Sequence, residues 1–157
     1  MTTVANPYAS PQVSDLDVGG ENEEVSARIF AFSGRLGRLR FITYWMVSTM
    51  LILLLGGIAA AVFIPVSPEA GVAIYTVFML FSVIYGFSLY ARRLHDLGHS
   101  SFLWYLMMFV PLLNLMLLIY LVFFPGNSAA NRFGPRVSRN STGVIVAFLL
   151  SIVLGVA

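Results

Sequence analysis

Phe102–Phe124 reads FLWYLMMFVPLLNLMLLIYLVFF, an apolar run long enough to cross a bilayer but interrupted at its middle by Pro111 and Asn114. Proline removes a backbone donor and clashes with the preceding turn. Asparagine in hydrocarbon needs a polar partner. The run therefore has two readings. Either it crosses, or it dips in and returns at Pro111-Leu112-Leu113-Asn114 as a re-entrant hairpin. Halves of about ten residues suit a hairpin, which is allowed at membrane depth only where protein buries it. The choice decides where the charges of the chain can meet.

Two further runs precede this one. The first covers about Phe41 to Ile64, with Tyr44 and Trp45 at the depth of an aromatic belt. Pro65 and Pro68 close it with a very short loop, and the second run covers about Ala70 to Tyr90. Gly98 is expected to stop that helix, and Ser100 or Ser101 to cap the next. Pro125-Gly126-Asn127 closes the third run. The last, Gly143 to Ala157, would rise only about 22 Å as a helix against roughly 30 Å of hydrocarbon. The fold expected is an all-α, polytopic membrane bundle of three to four apolar helical segments. Small residues recur at Gly56, Gly57 and Ala60, and again at Gly143, Ala147, Ser151 and Gly155. Such stripes let helix backbones approach closely, so the last helix is expected to pack on the first or on a second copy.

The composition agrees. Of the 157 residues 59% are hydrophobic, and the mean hydropathy is +0.87, more than a water-soluble core can hide. There is no cysteine, which excludes disulfides and thiolate chemistry. Residues 1–27 form an acidic tail carrying Asp15, Asp17, Glu21, Glu23 and Glu24, expected to be disordered; within it Asn6-Pro7-Tyr8 has some recognition-like character. Residues 28–135 form the expected membrane domain, and 136–157 a linker and final apolar helix. Val25–Phe32 reads as a short interfacial helix, with Ser33 placed to cap the helix after it.

All nine cations are arginines. Arg28, Arg35, Arg38 and Arg40 precede the first run, Arg92 and Arg93 end the second, and the first loop has none. The positive-inside rule therefore puts the N-terminus and the second loop in the cytoplasm. A full third crossing would strand Arg132, Arg136 and Arg139 outside, whereas a hairpin gathers all nine on one face. Arginine offers a planar five-donor fork for phosphate or carboxylate, which lysine does not.

Arg35, Arg38, Arg92, Arg93, Asp96, Asn131 and Arg132 are thus candidates for an anion or headgroup site. Arg35 and Arg38 would share a helix face, and Arg92 and Asp96 are spaced to pair. A plainer account makes the arginines topology anchors and Asp96 their structural counter-charge. His95 and His99 have a spacing that can hold zinc, with Asp96 as ligand or base, but Gly98 is expected to end the helix before His99 and no second cluster supplies a clear third ligand. Tyr75, Ser82, Tyr85, Ser88 and Asn114 are the polar groups from which a channel or transporter component would build a pore. The runs hold no Asp, Glu, Lys, Arg or His, which argues against ion-coupled transport.

The ordered set of motifs carries a resemblance. Phe32-Ser33-Gly34-Arg35-Leu36-Gly37-Arg38 before Tyr44-Trp45, then Arg92-Arg93-Leu94-His95-Asp96 with Ser100, then Pro111, Pro125-Gly126 and Asn131-Arg132-Phe133-Gly134, resemble the bacterial inner-membrane family of domain of unknown function 805. The resemblance covers about Phe32 to Pro135. It implies a small multi-pass protein of the bacterial inner membrane and no established reaction. The expectation is a non-enzymatic binder of anionic lipid headgroups or of a partner, with a metal-dependent enzyme or a channel as alternatives. No cofactor is expected. Expected partners are the bilayer and its anionic lipids, then a membrane-protein partner or a second copy, and not nucleic acid.

Overall fold

The structure, a computed structural model, describes residues 29–100 and 102–156. Among them are five α-helices and no strand: α1 (Arg38–Phe63), α2 (Pro68–Asp96), α3 (Phe102–Leu106), α4 (Pro111–Phe123) and α5 (Thr142–Val156). The expected tail, residues 1–27, lies outside the described residues, as does the start of the expected Val25–Phe32 helix.

α1 and α2 form an antiparallel hairpin. Ser67 caps α2 by accepting the Ala70 N–H, Pro68 takes the first turn, where its missing donor costs nothing, and Glu69 sits at the positive end of the helix dipole. The two helices meet closely. An added Cβ at Gly56 would lie 3.2 Å from the Phe78 side chain, and one at Gly71 2.8 Å from the Ile64 backbone nitrogen. Ala60 is buried on the same hairpin, while Gly57 faces open space.

Both helices are long and apolar enough to cross a membrane, with mean hydropathies of 2.3 and 2.0 over their most apolar stretches. Only 17% of each stretch is buried inside the protein, so most of this apolar surface, Leu54 and Val77 included, faces outward. The core of a soluble protein would bury it.

The third run does not form one helix. α3 passes into a 3₁₀ turn, Met107–Phe109, and stops at Val110, which is extended (φ −103°, ψ 115°) as steric conflict with a following proline demands. Pro111 then opens α4. The two arms fold back on each other: the Trp104 and Tyr120 rings stack at 5.4 Å, and Phe109, near the bend, meets Phe87 partway along α2. Both ends of this run therefore lie by the C-terminal end of α2.

α5 runs parallel to α1. The Ser151 hydroxyl lies 3.8 Å from Met46 Sδ, and a Cβ at Gly155 would come 3.0 Å from Met50 Cε. Ser151 is buried at this seam, whereas Ala147 is half-buried and Gly143 exposed. The core proper is small and sits at one end, where Leu36, Phe41, Leu89, Leu94, Leu117 and Leu121 pack together.

Two local expectations are corrected. Ile29–Phe32 is not helical, and α1 starts after Gly37 with no side-chain cap, four residues beyond Ser33. Gly34, with φ +89°, turns the chain in a conformation that helices do not use. As a result Arg35 and Arg38 do not share a helix face: Arg35 turns inward and Arg38 outward.

Candidate functional site: an arginine-rich pole around Asp96

The end of α2 fixes the site. Gly98, at φ +83°, lets its own N–H reach the His95 carbonyl and the His99 N–H reach the Leu94 carbonyl. This pair of bonds closes the helix in a Schellman motif. It leaves Asp96 on the last turn, buried, beneath the loops that flank α1 and α4.

Two guanidinium groups converge on the Asp96 carboxylate. Arg35 Nε donates to Oδ1 at 3.0 Å, and Arg93 pairs with Oδ2. Their remaining donors go to backbone carbonyls. Arg93 binds Leu121 (2.8 Å) and Phe124 (2.6 Å), two of the carbonyls that α4 leaves unpaired at its C-terminus. Arg35 binds Ala129 (2.7 Å) and Asn127. Arg93 is fully buried and Arg35 nearly so. A carboxylate flanked by two such forks meets the condition for a tolerable buried ion group, in which every charge is paired and the spare donors are used. Asp96 thus pairs with Arg93, three positions away, and with Arg35, 61 positions away. The approach of the turn is equally tight: a Cβ at Gly126 would land 1.9 Å from Asp96 Oδ2.

Asn131 joins the frame by donating to the His95 carbonyl at 2.9 Å while its Oδ1 accepts the Phe133 N–H. His95 stacks on Phe133 with ring centres 4.1 Å apart, and the Arg132 guanidinium lies 4.7 Å from the centre of the same ring. His95 Nδ1 faces the Gly34 carbonyl at 3.3 Å; because a carbonyl only accepts, Nδ1 carries the proton. His99 goes elsewhere, bonding the Tyr120 hydroxyl at 2.9 Å and stacking on Trp104. Among the described residues no three His, Asp or Glu side chains come together as metal ligands.

Arg38 is exposed and donates to the Phe123 carbonyl; Arg132 is exposed and donates to Ser100 Oγ. Of the polar residues on the apolar runs, Ser88 donates to the Ala31 carbonyl, Tyr85 is buried, Ser82 and Asn114 are half-buried, and Tyr75 faces outward.

Beside the Asp96 frame lies a cavity of about 200 Å³, lined among others by Arg35, Arg40, Arg92 and Arg136. Arg35, Arg40 and Arg92 are each less than 10% exposed. Arg40 is held by Ser138 Oγ (3.0 Å) and the Arg139 carbonyl (2.7 Å). No carboxylate is among the described lining residues. Sequence reasoning used Arg40 and Arg136 only as orientation charges. Their one available signal was type and number: two more arginines beside the same apolar runs.

This is a small helical protein with an apolar shaft and an arginine-lined pole. The family profile described as "Protein of unknown function (DUF805)" matches residues 29–135, more than half of the chain, and the chain belongs to that family. The match spans every residue of the Asp96 frame. No curated protein and no solved structure matches the chain.

Proposed function

We propose that this chain is an integral protein of the bacterial inner membrane whose arginine-rich pole faces the cytoplasm and binds a small oxyanion, a phosphate or phosphate ester, without chemical turnover. The observation that carries the reading is a cavity lined by four arginines with no acid among its described lining residues. Arg35 is already paired with Asp96, so Arg40, Arg92 and Arg136 are the arginines proposed to meet the anion. Buried cations such as Arg40 and Arg92 lining one space favour an anion there. Its volume, about 200 Å³, falls below the 300–1,000 Å³ of typical drug-sized ligand sites, which suits a phosphate-sized group. Ser33 and Ser138 supply hydroxyls at its wall, yet no imidazole or carboxylate stands among the described lining residues to activate them.

The threading is part of the proposal. α1 and α2 cross, α3 and α4 form a re-entrant hairpin, and the N-terminus is cytoplasmic. The fold-back of α3 on α4 supports this, because it leaves Arg132 and Arg136 at the same pole as Arg35 and Arg92, in accord with the positive-inside rule.

The test is thermal unfolding of the full chain in detergent micelles, titrated with inorganic phosphate or with a short-chain phosphatidic acid, at ionic strength matched by chloride. Ligand at a hundredfold excess over Kd is expected to stabilise by about 2.7 kcal/mol. Arg136→Gln, which removes a charge at the exposed rim, and Arg92→Lys, which keeps charge but loses the fork, are both expected to reduce the shift. The two titrants separate a free anion from a lipid headgroup. Equal midpoints in phosphate, phosphatidic acid and chloride for the unmodified protein overturn the reading.

A further inference from the structure

A second space adjoins the cationic cavity. It is an apolar groove of about 640 Å³ between α1, α2 and α5, walled by Tyr44, Val47, Leu51, Phe78, Phe81 and Ala147. Three chain segments pass directly from one space to the other. Ala31 lines the cavity and Phe30 the groove; Arg40 lines the cavity and Thr43, one helical turn on, the groove; Ser138 lines the cavity and Ser141 the groove. The groove exists because α5 presents Gly143 and Ala147 here, where larger side chains would fill it. Along α1 it extends from Thr43 to Leu55, about 18 Å at 1.5 Å per residue. That is close to the depth of one leaflet, half of the roughly 30 Å of hydrocarbon.

We infer that the two spaces form one site for an anionic phospholipid, its phosphate among Arg40, Arg92 and Arg136 and one acyl chain in the groove. This rests on the oxyanion reading above and deepens it by naming the ligand class. A free phosphate leaves the groove without a role, and an uncharged lipid brings no anion to the arginine-lined cavity. A phosphomonoester lipid satisfies both, because its small head matches the cavity and its chain follows the helix flank.

Native mass spectrometry of the full chain released from micelles tests this, using dioleoyl phosphatidic acid and dioleoyl phosphatidylcholine as probes. The unmodified protein is expected to retain one phosphatidic acid in preference to phosphatidylcholine. Ala147→Leu, which fills the groove and leaves the arginines alone, is expected to weaken that retention about tenfold, the equivalent of losing roughly two buried methylenes. Its stabilisation by inorganic phosphate should be unchanged, which also reports that the variant folds. Leu51→Trp obstructs the groove from α1 and provides a second variant with the same expectation.

Equal retention of phosphatidic acid by both variants and the unmodified protein overturns the inference, as does equal retention of the two lipids. A photoreactive side chain at Val144 that cross-links to residues 1–28 rather than to lipid also overturns it, since the chain itself then fills the groove. If phosphate still stabilises the protein in any of these cases, the oxyanion reading survives alone. If neither phosphate nor short-chain phosphatidic acid shifts the unfolding midpoint, both fall.

Discussion

Asp96 holds the pole together because it is the one described carboxylate among eight arginines there; Glu69, the other described acid, starts α2 at the opposite end. Asp96→Asn keeps the shape and removes the charge. It leaves Arg35 and Arg93 buried without a counter-ion, and breaking such a pair from one side costs about 3–5 kcal/mol. Unfolding of the detergent-solubilised protein should show a loss of that size; a change below about 1 kcal/mol, the range of exposed pairs, means that water reaches the cluster.

Arg35 explains what sequence reading could not reach. Its partners lie 61 to 99 positions away, and no local period or propensity encodes them. The pairing of Asp96 with an arginine was legible; which arginines was not, because Gly34 and Gly37 take Arg35 off the helix.

Among the elements, those set by local chemistry were legible. α1 and α2 follow from run length, the α2 stop from Gly98, and the break at Val110 from Pro111. The α1–α2 turn shows how closely such chemistry is used. Ile64–Ser67 reverses the chain so tightly that Gly71 faces the Ile64 backbone. Gly71→Ala would place a methyl within 2.5 Å of the Ile64 side chain and 2.8 Å of its backbone nitrogen. The helices must part there, and overpacking of this kind costs about 1–3 kcal/mol. Gly57→Ala, which meets open space on α1, serves as the control and should be neutral or slightly stabilising, since alanine favours a helix over glycine by about 1 kcal/mol. Equal effects of the two substitutions would show that the close approach at the turn does not exist.

At the scale of the whole molecule the described arginines are sorted to one end, and the third apolar run is what permits it. Arg93 grips the last carbonyls of α4 and Arg40 grips the segment that leads into α5, so α4 and α5 end and begin at the pole where α1 begins. Sequence alone left a crossing and a return both open, because Pro111 interrupts a helix without saying how far the chain then turns. Ring stacking between Trp104 and Tyr120 draws the arms together, and that pairing spans sixteen positions that no helical period connects. The protein has no cysteine, so single cysteines report sidedness cleanly. Ser33→Cys, Ser128→Cys and Asn140→Cys are all at exposed positions around the pole, and Val66→Cys lies in the α1–α2 turn. In intact cells a membrane-impermeant thiol reagent should label Val66→Cys alone and reach the other three only after permeabilisation. Labelling of Ser128→Cys and Asn140→Cys from outside, with Ser33→Cys protected, would mean that α3 and α4 together cross the bilayer. The arginines would then be divided between two compartments, and no single anion could be held by Arg40, Arg92 and Arg136 at once.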